Sequence, residues 1–112
     1  MNKKNNQQIF IVNIYHEKAD VYCGRGSALG NPFKMEDKSD EQRNIVCEQY
    51  KTYFNQKVLV QRDQSMLRQL SKIYKFIQTN GDVKLGCFCA PKRCHCETIK
   101  QYIEETYLKN KG

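Results

Sequence analysis

The sequence contains no long hydrophobic run, which excludes a membrane-spanning helix. Apolar residues make up only 39% of the 112 positions, and no stretch approaches the roughly 20 apolar residues that such a helix needs. The polar start leads into Ile9 to Val12, an apolar run too short for the core of a secretory signal. We therefore expect a cytoplasmic protein without a membrane partner.

The chain also lacks internal repeats, low-complexity tracts and linkers. Its length suits one domain with one modest core. We expect a single α/β domain over residues 1–112, with residues 1–7 flexible.

Positive charge is in excess but is not concentrated in any block. The net charge is +7, from 19 Lys and Arg against 12 Asp and Glu. A basic surface attracts nucleotides, nucleic acid and acidic proteins. Because the charges are spread along the chain, a solvated lysine-rich surface explains them equally well.

The order of apolar periodicities predicts an α/β fold. Strands are expected over residues 8–15, 19–23 and 83–89, and helices over residues 40–55, 66–80 and 94–108. On the first helix, Ile45, Cys47, Tyr50, Tyr53 and Phe54 form the expected buried stripe. Ligands in open α/β sheets bind beyond the carboxyl ends of the strands. Two candidate loops follow strands, so they can meet at one edge.

The first candidate, the glycine loop, runs from Gly24 to Phe33. Glycine-rich loops can present backbone amides to an anion, and an arginine can add a paired contact to phosphate. The spacing fits neither a Walker motif nor a Rossmann fingerprint, and a plain structural turn explains the loop at least as well. The predicted ligand-binding residues are Gly24, Arg25, Gly26, Ser27, Gly30 and Asn31.

The second candidate, the cysteine loop, runs from Cys87 to Cys96 and holds four of the six cysteines. Without a secretory signal, such crowding indicates metal ligands, reactive thiols or buried thiols rather than disulfides. The predicted metal set, for zinc, is Cys87, Cys89, Cys94 and His95. The spacing leaves two other sets open: Cys94 with Cys89, or Cys89 with Cys96 and the distant His16.

Two further interpretations of this loop remain open. Cys94 and Cys96 would lie at a helix N-terminus beside two cations, which favours a reactive thiolate, and His95 can carry a proton. Cys94 and His95 are therefore the catalytic candidates. Alternatively, the cysteines are buried apolar residues. This suits Cys87 and Cys89 better than Cys94 to Cys96, because a helix start is usually exposed. His16 is most simply a surface histidine.

Three motifs together resemble a known family. They are Val21-Tyr-Cys-Gly-Arg, Leu29-Gly-Asn-Pro-Phe and Leu85-Gly-Cys-Phe-Cys-Ala-Pro-Lys-Arg-Cys-His. The chain resembles domain of unknown function 4326, found in phages, bacteria and some eukaryotes, over about residues 9–105. Arg43 and Tyr50 match an Arg and a Tyr that the family has in a middle helix.

The chain departs from the family pattern at two places. Cys96 and Glu97 stand where the family usually has Gly and Asp, so the thiol of Cys96 is an addition to the shared motif. Phe88 replaces the more usual Trp. The resemblance implies a Rossmann-like sheet with flanking helices and one site built from both loops, and it implies no reaction.

Two functions follow as expectations. The first is a phage-type protein, in the host cytoplasm if a phage encodes it, that binds a nucleotide, nucleoside or phosphosugar between the two loops, with zinc as a cofactor. The second is a non-enzymatic phage accessory protein that binds nucleic acid or a host protein and has structural cysteines. The residues do not decide whether the protein is an enzyme.

Overall fold

The computed structural model describes residues 7–89 and 92–108, and these form an α/β fold, which confirms the predicted class. The predicted flexible start lies outside the described residues except for Gln7. The strands are β1 (Gln8–Asn13), β2 (Val21–Tyr22) and β3 (Asp82–Cys87), and the helices are α1 (Asp40–Asn55), α2 (Gln64–Asn80) and α3 (Cys96–Ile103). Two π-helical turns, Gln56–Val60 and Glu104–Leu108, extend α1 and α3.

The three strands form a parallel sheet in the order β1-β3-β2. Ile9 lies opposite Val83 in one pairing, and Val21 lies opposite Leu85 in the other. β3 is the central strand and four of its six residues are buried, as expected for a strand with neighbours on both sides. Because β2 and β3 are parallel, their carboxyl ends lie at the same edge, where the glycine loop and the cysteine loop begin.

Side chains at the helix starts fix where α1 and α2 begin. The hydroxyl of Ser39 accepts a hydrogen bond from the backbone N–H of Gln42, and the Asp63 carboxylate accepts one from Met66. Such N-caps satisfy donors that have no partner within the helix. The cap at Asp63 places the start of α2 at Gln64, two residues before Met66, the first residue of the predicted apolar stripe. α2 ends at Asn80, and the residue that caps it, Gly81, has a φ of 96°, which favours glycine.

The buried face of α1 differs from the prediction at one position. Ile45 is 42% exposed, whereas Val46 is buried beside Cys47, Tyr50 and Phe54. The predicted stripe therefore began one residue too early. Ile45 and Val46 are adjacent and both apolar, so the helical periodicity alone does not decide which of them faces the core. The helical backbone also continues beyond Asn55 through the π-helical turn, which the sequence did not predict.

The strands are shorter than predicted. β1 ends at Asn13, whose carbonyl accepts hydrogen bonds from the N–H groups of His16 and Glu17 and turns the chain away from the sheet. β2 is reduced to two residues, and β3 ends at Cys87 instead of residue 89. The last helix begins at Cys96 instead of residue 94. No helix in the described part of the chain is long and apolar enough to cross a membrane.

Candidate ligand and metal site

The glycine loop is a tight structure held together by its own hydrogen bonds. The N–H and the hydroxyl of Ser27 both donate to the carbonyl of Gly24, at 3.1 and 2.7 Å. The N–H of Gly30 donates to the carbonyl of Ser27 at 3.0 Å. Gly26 has a φ of 92°, a conformation that other residues resist. The predicted amide donors of Ser27 and Gly30 are thus used within the loop.

Arg25 and Asn31 also stabilise the glycine loop. The guanidinium of Arg25 donates to the carbonyl of Asn31 at 2.7 Å and to that of Phe33 at 2.8 Å. The side chain of Asn31 is buried, accepts from the N–H of Phe33 and donates to the carbonyl of Val46 on α1. Both predicted ligand-binding residues therefore have a structural role, and their contact with a ligand stays a prediction.

Two helices hold the glycine loop in place. The hydroxyl of Tyr50 on α1 donates to the carbonyl of Leu29 at 2.8 Å. Gln69 on α2 accepts from the N–H of Leu29 and donates to the carbonyl of Tyr22. Because Tyr50 and Leu29 are completely buried, the loop is anchored in the hydrophobic core rather than lying on the surface.

The cysteine loop brings three buried thiols together. The sulfur atoms of Cys87, Cys94 and Cys96 all lie within 4.8 Å of one another. The backbone N–H of Cys96 donates to the sulfur of Cys94 at 3.5 Å. This cluster could hold a metal ion. It contains Cys96, which the sequence marked as an addition to the shared motif, in place of Cys89 and His95 from the predicted set.

His95 is buried and oriented by Cys23, the residue that precedes the glycine loop. Its Nε2 lies 2.6 Å from the carbonyl of Cys23, and because a carbonyl only accepts, Nε2 carries a proton. Nδ1 lies 3.6 Å from the sulfur of Cys94, and the ring contacts Tyr50 with centroids 4.9 Å apart. Burial lowers the pKa of His95, so the neutral ring is favoured. The two loops are therefore joined directly, as the sequence suggested they could be.

The start of α3 is buried, whereas the sequence led us to expect an exposed helix start. Cys94, His95 and Cys96 are 2%, 7% and 0% exposed. Hydrogen bonds with Cys87 and Cys89, together with burial, raise the pKa of Cys94. Contacts with Cys23, Cys87 and Cys94 likewise raise the pKa of Cys96. These shifts oppose the thiolate predicted at this helix start, and a catalytic role of Cys94 and His95 stays a prediction.

Cys89 differs from the other thiols of the loop. It is half-buried, and its pKa is lowered to about 6, chiefly by a hydrogen bond with Cys94 and also by the nearby guanidinium of Arg43. Ala90 and Pro91, which follow it, lie outside the described residues. Arg93 then ties the loop to α1 by donating to Glu48 at 2.6 Å and to Asn44 at 3.3 Å. His16 is exposed, as predicted.

The two loops and α1 enclose a cavity of about 80 Å³, called the inter-loop cavity below. Arg43 was not among the predicted site residues, although the family resemblance placed an arginine there. Its Nε is buried and has no hydrogen-bond partner among the described residues. The cavity is lined by Gly24, Arg25, Asn31, Met35, Arg43, Val46, Cys47, Cys87, Phe88, Cys89, Arg93, Cys94 and His95.

Exposed aromatic rings surround Phe88, which also lines the cavity. The ring of Phe88 is 5.1 Å from that of Tyr15 and 6.0 Å from that of Tyr22, measured between centroids. We call these three residues the aromatic cluster. Phe88 is 43% exposed, Tyr15 76% and Tyr22 37%. Sequence reasoning missed this cluster because its members come from three separate segments, at or just after the ends of the three strands.

Comparisons with known proteins identify the family but no characterised relative. No curated protein and no solved structure matches the chain. The model of one family, described as Domain of unknown function (DUF4326), matches residues 11–105. This range includes both loops and all three helices. The chain therefore belongs to the family Domain of unknown function (DUF4326).

Proposed function

We propose that the protein binds a nucleotide, nucleoside or phosphosugar in the inter-loop cavity, and that the lining favours the two classes that carry an anionic phosphate. The charge of the lining carries this proposal. Arg25, Arg43 and Arg93 line the cavity, whose described lining residues include no carboxylate and one thiol with a lowered pKa, Cys89. Guanidinium groups bind phosphate and carboxylate oxygens through paired N–H donors. The net charge of +7 attracts the same ligands from a distance.

Arg43 is the best placed of the three arginines to bind the anion. Arg25 donates to two backbone carbonyls, and Arg93 forms an ion pair with Glu48. The guanidinium of Arg43 forms a hydrogen bond with Cys89, but its Nε is buried without a partner among the described residues. Nearly all buried polar atoms in native proteins form hydrogen bonds. An anion in the cavity would supply the acceptor that this nitrogen needs.

The size of the cavity limits which part of the ligand enters it. A volume of about 80 Å³ is well below the roughly 300–1,000 Å³ of pockets that enclose drug-sized molecules. A phosphate group fits, and the rest of the ligand then lies outside, against Phe88 and the aromatic cluster. Stacking of a base on an aromatic ring contributes about 1–3 kcal/mol. The cluster therefore favours a nucleotide over a phosphosugar.

Zinc is the cofactor that we propose for the thiol cluster. Cys87, Cys94 and Cys96 offer three sulfur ligands within 4.8 Å of one another, and thiolates select soft or borderline ions such as zinc. The N–H of Cys96 that donates to the sulfur of Cys94 would stabilise the thiolate form required for binding. The metal would replace the protons that the crowded thiols otherwise retain.

Isothermal titration of the reduced protein with adenosine monophosphate and ribose 5-phosphate tests the proposed ligand site. Arg43→Gln should weaken binding of both by about tenfold or more, because hydrogen bonds to charged groups contribute about 1.5–3 kcal/mol. The matched control is Arg68→Gln, which removes an exposed arginine from α2 and should leave the affinity unchanged. Equal affinities of wild type and Arg43→Gln would refute the proposal.

A second candidate function is supported by the exposed aromatic cluster together with the net charge of +7. These features suit a phage accessory protein that binds single-stranded nucleic acid by stacking and backbone contacts. In that case an oligonucleotide should bind with a steep salt dependence, and Arg43→Gln and Arg68→Gln should weaken it equally. A single nucleotide in the cavity should depend far less on salt.

A further inference from the structure

We infer that a metal ion bound by Cys87, Cys94 and Cys96 keeps its fourth coordination position open toward the inter-loop cavity. The ion would then be a ligand-binding metal rather than a purely structural one. The identity of the molecule that reaches it rests on the proposed function, whereas the metal site itself does not. The inference rests on the position of the three sulfurs, on the placement of the cavity, and on the lack of a fourth ligand among residues 7–89 and 92–108.

The three sulfurs are already close to the spacing that a tetrahedral ion requires. Zinc–sulfur bonds of about 2.3 Å place neighbouring sulfurs about 3.8 Å apart. The sulfurs of Cys87, Cys94 and Cys96 lie within 4.8 Å of one another, so each pair needs to close by about 1 Å or less. Cys87 is fixed at the end of the central strand, and Cys96 at the first residue of α3.

No fourth side chain among the described residues completes the set. Cys23, Cys89 and His95 lie nearby but do not join the group whose ligand atoms are all within 4.8 Å of one another. The Nε2 of His95 is held by the carbonyl of Cys23 at 2.6 Å. Structural zinc sites have four protein ligands, whereas catalytic sites have three and an open position. With three protein ligands, the cluster has the ligand number of the second kind.

The placement of the cavity gives the direction of the open position. Cys87 and Cys94 line the cavity, and Cys96, which is completely buried, does not. An ion bound by the three sulfurs would thus have Cys96 on its buried side and the cavity on its opposite side. The first turn of α3 begins at Cys96, so its backbone dipole adds positive charge on the buried side.

The charge of the surroundings indicates the class of the fourth ligand. A divalent ion with three thiolates carries a net charge of −1, which the guanidinium of Arg43 on the cavity wall can balance. The same guanidinium binds an anionic group. The ligand should therefore combine an oxygen or nitrogen donor, which reaches the metal, with a phosphate or carboxylate beside it. Nucleotides have both groups.

Cobalt(II) added to the reduced, metal-free protein tests the inference, because it takes the same ligands as zinc and absorbs visible light. We expect one cobalt per chain by native mass spectrometry, with thiolate-to-cobalt absorption. Added azide, a small anion that fits the cavity, should shift the visible bands in a saturable way. Cys96→Ala should weaken cobalt binding by about tenfold or more. Cys89→Ala should keep both the affinity and the azide response.

The control is Arg68→Gln, which changes an exposed side chain of α2 outside both the cavity lining and the thiol cluster. It should bind cobalt and azide as the wild type does. The inference would be overturned if azide left the wild-type spectrum unchanged and Cys89→Ala weakened the thiolate-to-cobalt absorption. That result would show a closed site of four thiolates. If Cys96→Ala does not fold, the azide response of wild type and Cys89→Ala decides alone.

Failure of this inference is separable from failure of the proposed function. If the wild type binds no cobalt, the metal site is wrong. Titration of the metal-free protein with adenosine monophosphate, comparing wild type with Arg43→Gln, still decides the anion site. Conversely, one cobalt with an azide response but no nucleotide binding would support the open metal position and refute the proposed ligand class.

Discussion

Removing the hydroxyl of Tyr50 should destabilise the protein, because this group is the buried link between α1 and the glycine loop. The hydroxyl donates to the carbonyl of Leu29 at 2.8 Å, and neither residue is exposed. Tyr50→Phe keeps the ring and its contacts with Phe54 and His95 but leaves that carbonyl without its donor. A buried polar group without a partner costs about 1–3 kcal/mol.

Urea unfolding in reducing buffer measures this cost. With a slope of about 2 kcal/mol per molar urea, the midpoint of Tyr50→Phe should fall by about 0.5–1.5 M without a change in slope. The matched control is Tyr15→Phe, whose ring is 76% exposed, and which should change the free energy of unfolding by less than about 0.5 kcal/mol. Equal effects of the two variants would refute the reasoning.

The same variant makes a prediction at high pH. Burial raises the pKa of Tyr50 in the folded state above the ordinary value of 10.0. The unfolded chain therefore loses this proton first, and the wild type should lose stability as the pH rises above about 10. Tyr50→Phe lacks this group, so the difference in stability between the two proteins should shrink at alkaline pH. A constant difference from pH 8 to 11 would contradict the raised pKa.

Three further substitutions test the parts that position the site. Gly30→Ala should destabilise the glycine loop and weaken ligand binding, since a Cβ at this position would collide with the backbone carbonyl of Gly24; unchanged melting and binding would count against this. Asp63→Ala should lower the free energy of unfolding by about 1 kcal/mol through loss of the cap on the N–H of Met66, whereas Asp63→Asn, which can still cap, should lose less in the same urea titration. Arg25→Lys keeps the charge but not the paired bonds to two carbonyls, so proteolysis within the glycine loop should become faster, and an unchanged cleavage rate would refute a structural role.

The chemistry of the cysteine loop depends on which thiols share a proton or a metal. The pKa of Cys89 is lowered while those of Cys94 and Cys96 are raised. Hydrogen bonds among the thiols cause much of this separation, because a proton held by one sulfur stabilises the charge of the next. Because each thiol influences the protonation of its neighbours, the effects of single-cysteine variants on the free energy of unfolding should not be additive.

The sequence by itself determined the fold class, the family and the two loops that line the inter-loop cavity. The apolar run from Ile9 to Val12 predicts a strand, and the stripe from Met66 to Ile77 predicts a helix. Both patterns depend only on residues that are close in the sequence. The motifs that end in Gly-Arg and Cys-His located both loops at the carboxyl ends of strands. Parallel pairing then brings these ends to one edge, as the structure confirms.

Only the tertiary structure decided which side chains meet in the site. Arg43 lies on α1, which separates the two loops in the sequence. Its proposed role in anion binding follows from the cavity that it lines and from its buried Nε. Cys96 joins Cys87 and Cys94 because α3 begins against the end of β3, although the motif marked Cys96 as an addition. Arg25 and Asn31 bind the loop's own backbone. Spacing along the chain specifies local geometry. These contacts depend instead on how distant segments pack against one another, which a local sequence pattern does not specify.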